Sequence, residues 1–128
     1  MRERYLKSHL FVCCSSIVTS PNSLGEAMLL GMPCVSADVG GIPSIFTGGE
    51  DGILYEGFRM GLNNKSNLEG VSEMLAKSVL EIWQNEIRME NYGKNARKHA
   101  EKTHDPAQNY RIMTEIYAEI TRQKNSAF

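Results

Sequence analysis

Residues 20–43 dictate more of the architecture than any other part of the chain. They read Ser20-Pro-Asn-Ser-Leu-Gly-Glu-Ala-Met-Leu-Leu-Gly-Met-Pro-Cys-Val-Ser-Ala-Asp-Val-Gly-Gly-Ile-Pro43. Ser20 or Asn22 can cap a helix there, Pro21 suits its first turn, and Ser23 stands three residues before Glu26. The helix is predicted over 24–30, because Gly31 is a natural C-terminal cap and Pro33 cannot continue it. Pro33 to Ala37 then makes a short apolar strand that Gly40-Gly41 and Pro43 break. A second apolar run, Leu10 to Cys14, lies just upstream. Strand, helix, strand in that order predicts one right-handed crossover of a parallel sheet. The fold class is therefore α/β: a short parallel sheet flanked by helices and followed by a helical tail. Ligands on such sheets collect at the carboxyl ends of the strands and against helix N-termini.

The rest of the chain extends this pattern. Residues 1–8 read as the end of a helix with Tyr5 and Leu6 inward, and Ile53-Leu54-Tyr55 as a third, edge strand after the turn at Gly48 to Gly52. Ser44 to Thr47 can start another short helix, and Gly57 to Ser66 reads as a loop. From Asn67 the apolar residues Leu68, Val71, Leu75, Val79 and Ile82 recur at helical spacing, with Trp83 ending the stripe. A further helix is predicted over 87–102, and a last one opens at Asp105-Pro106 with Tyr110, Met113, Tyr117 and Ile120 on one side.

Composition narrows the function classes. The chain has 128 residues with 14 basic and 15 acidic side chains, a balance that leaves no electrostatic footprint for nucleic acid or an anionic membrane. Cys13, Cys14 and Cys34 lie in or beside apolar runs, and an odd count of this kind reads as buried thiols in a reducing compartment. His9, His99 and His104 are scattered, pair with no cysteine at a ligand interval, and read as surface residues. Lys94, Arg97, Lys98 and Lys102 read as a solvated helix face. The apolar run after Met1-Arg-Glu-Arg is too short for an export signal, and nothing approaches a membrane span. The expected location is cytoplasmic.

Glu26-Ala-Met-Leu-Leu-Gly-Met-Pro33 followed by Gly40-Gly41 resembles the C-terminal half of retaining glycosyltransferases built from two Rossmann-like domains (the GT-B fold), of the group 1 or family 4 type. That family carries two Glu residues separated by seven others, of which Glu26 matches the second. The first falls on Val18, which can neither accept a hydrogen bond nor carry charge. Two readings of Val18 stand open: a subfamily that manages without the first carboxylate, and a degenerated enzyme. The resemblance runs more weakly over the whole chain. It implies that residues 1–128 are a truncated donor-binding portion, without the acceptor-binding N-terminal domain and the opening strands of this one.

The resemblance also implies roles. Backbone amides of Asn22, Ser23 and Leu24 at the helix start, with Ser20, would hold the diphosphate of a nucleotide sugar. Gly41 in the glycine loop would let a ligand approach the backbone. Glu26 would accept hydrogen bonds from the ribose hydroxyls. Its rival reading is a capping box with Ser23, in which Glu26 folds back on the helix start. If Ser20 caps the helix, Glu26 is free; if Ser23 caps it, Glu26 is occupied. No residue is singled out as catalytic, and no metal or cofactor is called for, since helix amides can take the charge. The partners expected are a nucleotide-diphosphate sugar and, through the missing domain, a saccharide or lipid-linked acceptor. No nucleic acid and no integral membrane segment are expected. The intact protein would transfer the sugar, by positioning and by stabilising the departing diphosphate, while this chain alone would be inactive. The alternative from another class is a non-enzymatic α/β binding or interaction module, and a weaker one a sugar-nucleotide epimerase of similar architecture.

Overall fold

A short helix, α1 (Arg2–Leu6), leads into strand β1 (Phe11–Cys13), helix α2 (Asn22–Leu29) and strand β2 (Cys34–Asp38) in the computed structural model. A 3-10 turn (Ile42–Ser44) and strand β3 (Gly52–Glu56) follow, then helices α3 (Lys65–Trp83), α4 (Glu86–Thr103) and α5 (Pro106–Ser126). The structure describes residues 2–19, 21–57 and 65–126. The three strands pair in parallel in the order β1-β2-β3, with Val12 opposite Val35 and Val35 opposite Ile53. This is the parallel α/β arrangement with a helical tail that the apolar runs predict.

Strand periodicity distributes the side chains to two layers. Phe11, Cys13, Cys34 and Leu54 face α2 and α4, where they meet Leu24, Ala27, Met28, Ala96 and Ala100. Val35, Ala37, Ile53 and Tyr55 face α3, where they meet Val71, Leu75, Val79 and Ile82. Helix α2 is short, yet Leu24, Ala27 and Met28 stand one turn apart on a single face and are fully buried. Burying an aliphatic side chain of this size contributes roughly 1.5–3 kcal/mol each.

The end of α2 is built as a Schellman motif. Gly31 takes a φ of +73°, its N–H donates to the Met28 carbonyl at 2.9 Å, and Met32 N–H donates to Ala27 at 3.0 Å. Helix α4 crosses at this point through Gly93, where an added Cβ would lie 2.3 Å from the Gly31 carbonyl oxygen. Backbone thus touches backbone where the two helices meet.

Other ends and faces differ from the sequence reading in instructive ways. Helix α3 starts at Lys65, ahead of Asn67, so Lys65 and Ser66 belong to it and not to a loop. Of the loop expected over 57–66, residues 58–64 lie outside the described residues. Asn85 caps α4 by accepting the Arg88 N–H at 2.9 Å, and Asp105 caps α5 by accepting the Ala107 N–H at 2.9 Å. Leu6, expected inward, is exposed, because α1 is a single turn with only Tyr5 against the core. Trp83 is also exposed and meets His9 edge-on at 5.8 Å. Met113, Tyr117 and Ile120 of α5 share one side as expected, but that side stays exposed. No described helix is long and apolar enough to cross a membrane.

The contact at Gly93 makes a prediction that runs against helix propensity. Gly70 of α3 has nothing within 4 Å of an added Cβ. Gly70→Ala should therefore stabilise by about 0.5–1 kcal/mol. Gly93→Ala should destabilise by about 1–3 kcal/mol, since two backbones must separate to admit one methyl. Urea unfolding midpoints of the two variants against the parent check this, and shifts of the same sign would contradict the packing.

Candidate functional site

The carboxyl ends of β1 and β2 run into two loops that are locked together. Gly41 N–H donates to the Val18 carbonyl at 3.0 Å. Gly40 has a φ of +55°, and a Cβ there would sit 1.9 Å from the same Val18 oxygen; one on Gly41 would sit 2.5 Å from the Thr19 oxygen. The glycine pair is thus required by the chain's own backbone. This corrects the reading of Gly41 as a point of ligand approach: its amide and its free side are both taken by residues 18–19. Val18 itself is half-buried, with its side chain against the α2 layer.

Helix α2 starts two residues earlier than expected. Pro21 is the N-cap and supplies no side-chain hydrogen bond. Its carbonyl instead accepts from Leu24 N–H at 3.0 Å and Gly25 N–H at 3.1 Å. The Leu24 amide, expected to face an anion, is therefore occupied, and its side chain is fully buried in the core. Ser20 lies outside the described residues. Asn22 and Ser23 remain as exposed first-turn residues at the carboxyl end of β1.

With Pro21 as cap, Ser23 is inside the helix and cannot form a capping box. Glu26 falls on the second turn and is exposed. Its carboxylate meets Tyr5 of α1, whose hydroxyl also reaches the Ser23 carbonyl at 3.4 Å. Burial, then the Glu26 charge and the hydrogen bond to it, push the Tyr5 phenol above its ordinary range. The phenol is held as a donor, and Glu26 as an acceptor, a short distance from the helix start.

One polar arrangement has no trace in local sequence. Asp51 is buried at 2% exposure in the turn before β3, where it accepts the Thr47 N–H at 2.8 Å and pairs with His99 Nδ1 of α4 at 2.6 Å. His99 is thus an anchored side chain and not a plain surface residue. The two stand 48 positions apart, beyond the reach of any motif. Lys94 and Arg97, by contrast, make the surface pairs expected of a solvated face, with Glu90 and Glu101. Among the described residues no three His, Cys, Asp or Glu side chains gather as a metal site.

Known proteins bear on this geometry as follows. Residues 1–59 match the family model described as Glycosyl transferases group 1. No curated protein matches the chain in sequence. Among solved structures, sucrose-phosphate synthase from Thermosynechococcus elongatus is similar with a TM-score of 0.70 and 19% identity. The match covers 91% of this chain and 27% of that one. The chain thus spans little more than a quarter of that structure and has its fold there. The matched segment holds β1, α2, β2 and β3, so the Glu26 and glycine-loop pattern sits in a stretch of the group 1 glycosyltransferase type.

The three thiols differ sharply, which corrects the reading of all three as buried. Cys13 and Cys34 are buried, but Cys14 is exposed in the loop after β1. Burial, reinforced by the nearby Asp51 charge, pushes the Cys34 thiol far above its ordinary range, so it is no nucleophile at neutral pH. Disulfide-reagent titration of the folded protein should release one equivalent rapidly, from Cys14, with the other two reacting only after unfolding. Fast reaction of Cys34 in the native state would contradict the core described above.

Proposed function

We propose that this chain, whose residues 1–59 carry the group 1 glycosyltransferase pattern, is the donor-nucleotide-sugar-binding portion of a glycosyltransferase. The observation that carries the reading is Glu26, exposed on the second turn of α2 at the carboxyl end of a parallel strand and clear of any capping box. A carboxylate there accepts hydrogen bonds from a vicinal diol such as ribose. Asn22 and Ser23, on the first turn, stand where the helix dipole favours a diphosphate. The Glu26 charge also reaches Tyr5, whose phenol it helps to push above its ordinary range.

Transfer itself needs more than this surface. The reaction would move a sugar from a nucleotide diphosphate to a saccharide or lipid-linked acceptor, with stabilisation of the departing diphosphate as the main contribution. Two features support further protein in the catalytic unit: the chain matches 27% of a larger structure, and the apolar side of α5 is uncovered. Val18 supplies no charge where the family has its first acid, and its side chain serves the core instead.

The test is calorimetry and thermal shift with uridine, guanosine and adenosine diphosphates. The expected result is weak binding of one of them, seen as a rise of about 1.4 kcal/mol in stability at ten times its Kd. Glu26→Ala, a substitution that favours helix, should weaken that binding about tenfold or more. The chain alone should transfer no sugar from any nucleotide-sugar donor. Absence of a shift with all three diphosphates overturns the donor reading, and turnover by the isolated chain overturns the need for a larger unit.

A further inference from the structure

A cavity of about 420 Å3 opens on the α3 side of the sheet, at the carboxyl ends of the strands. Its floor is Ala37 of β2 and Tyr55 of β3, and its far wall is Leu68, Val71 and Leu75 of α3. Cys14 and the hydroxyl residues Ser15 and Ser16 form the lip on the β1 side. Alternation along the strands puts this cavity on the face opposite α2, away from Glu26. It is therefore not the surface proposed for the donor.

Tyr55 makes this more than a packing defect. The residue is 5% exposed, and its hydroxyl has no hydrogen-bond partner among the described residues. A buried phenol without a partner costs about 1–3 kcal/mol. Buried polar groups are otherwise paired almost without exception, so an orphan lining a cavity points to a ligand. Burial, then the neighbouring Cys14 and Cys13 thiols, push this phenol above its ordinary range, so it remains a proton donor at neutral pH.

We propose that this cavity binds an uncharged ring compound, which accepts a hydrogen bond from the Tyr55 hydroxyl and stacks between the sheet and the Leu68–Val71–Leu75 row. The lining selects the chemistry. None of the described residues that line it is charged, so an ion held by them would lose its hydration without compensation. One apolar helix row over a sheet floor makes a slot suited to a flat body. Ser16 and Ser72 add hydroxyls at the edge, where a carbonyl or ring N–H can meet them.

Cys14 is a built-in reporter, being exposed at the lip. The experiment follows alkylation of Cys14 by iodoacetamide, read by mass spectrometry on the whole chain. Nicotinamide and benzamide are the neutral ring probes and benzoate is the charged control. Each neutral probe should slow alkylation at least about threefold at saturation, with benzoate without effect. Tyr55→Phe keeps the ring packing and deletes the orphan hydroxyl, so its melting temperature should equal or exceed the parent's, while its affinity for both neutral probes drops about tenfold. A second variant, Leu75→Trp, narrows the slot and should abolish protection. Unchanged Cys14 reactivity with both neutral probes, equal protection in Tyr55→Phe, or equal protection by benzoate overturns the proposal. No diphosphate is involved, so each of these results leaves the donor reading where it was.

Discussion

Strand β2 is the element on which the rest of this molecule is assembled. It is the centre of the sheet, and Cys34 through Ala37 are closed off from solvent on both faces. A strand buried on both sides needs partners for every backbone group, which β1 and β3 supply, and apolar cover from two helical layers, which α2 with α4 and α3 supply. The carboxyl-end loops then lie side by side because their strands do. The position of the candidate site is a consequence of that pairing.

The parts of the fold legible in the sequence are those carried by local signals. Gly31 before Pro33, the spacing of Leu24, Ala27 and Met28, and Asp105 before Pro106 each specify an end or a face by themselves, and each is found in place. What the sequence hid depends on contacts between distant segments. Asp51 looks like one acid in a turn until α4 brings His99 against it. Gly40-Gly41 looks like a ligand loop until the loop after β1 is laid over it. The exposure of Cys14 beside a buried Cys13 follows from strand alternation, but only once the strand is known to end at Cys13. Pro21 as cap was obscured by two better capping residues on either side of it, Ser20 and Asn22.

The carboxyl-end loops also show how scaffold and binding surface compete for the same groups. The amides of Leu24 and Gly41 are consumed in holding the helix start and the two loops. Position 18 contributes its carbonyl to that lock and its side chain to the core. Because the lock uses main-chain atoms of residue 18, it does not depend on which side chain stands there. The side chain at this place can therefore change without changing how the two loops are held together.

The uncovered side of α5 bears on how the molecule comes apart. A helix of 21 residues rises about 1.5 Å per residue, and this one is tied to the body through the corner at Thr103 to Asn109. Its order rests on its cap and its own hydrogen bonds, with little tertiary support. Denaturation should accordingly proceed in two stages, with the tail fraying while the sheet and its two layers still hold. A single midpoint taken from total helical signal would then describe neither part.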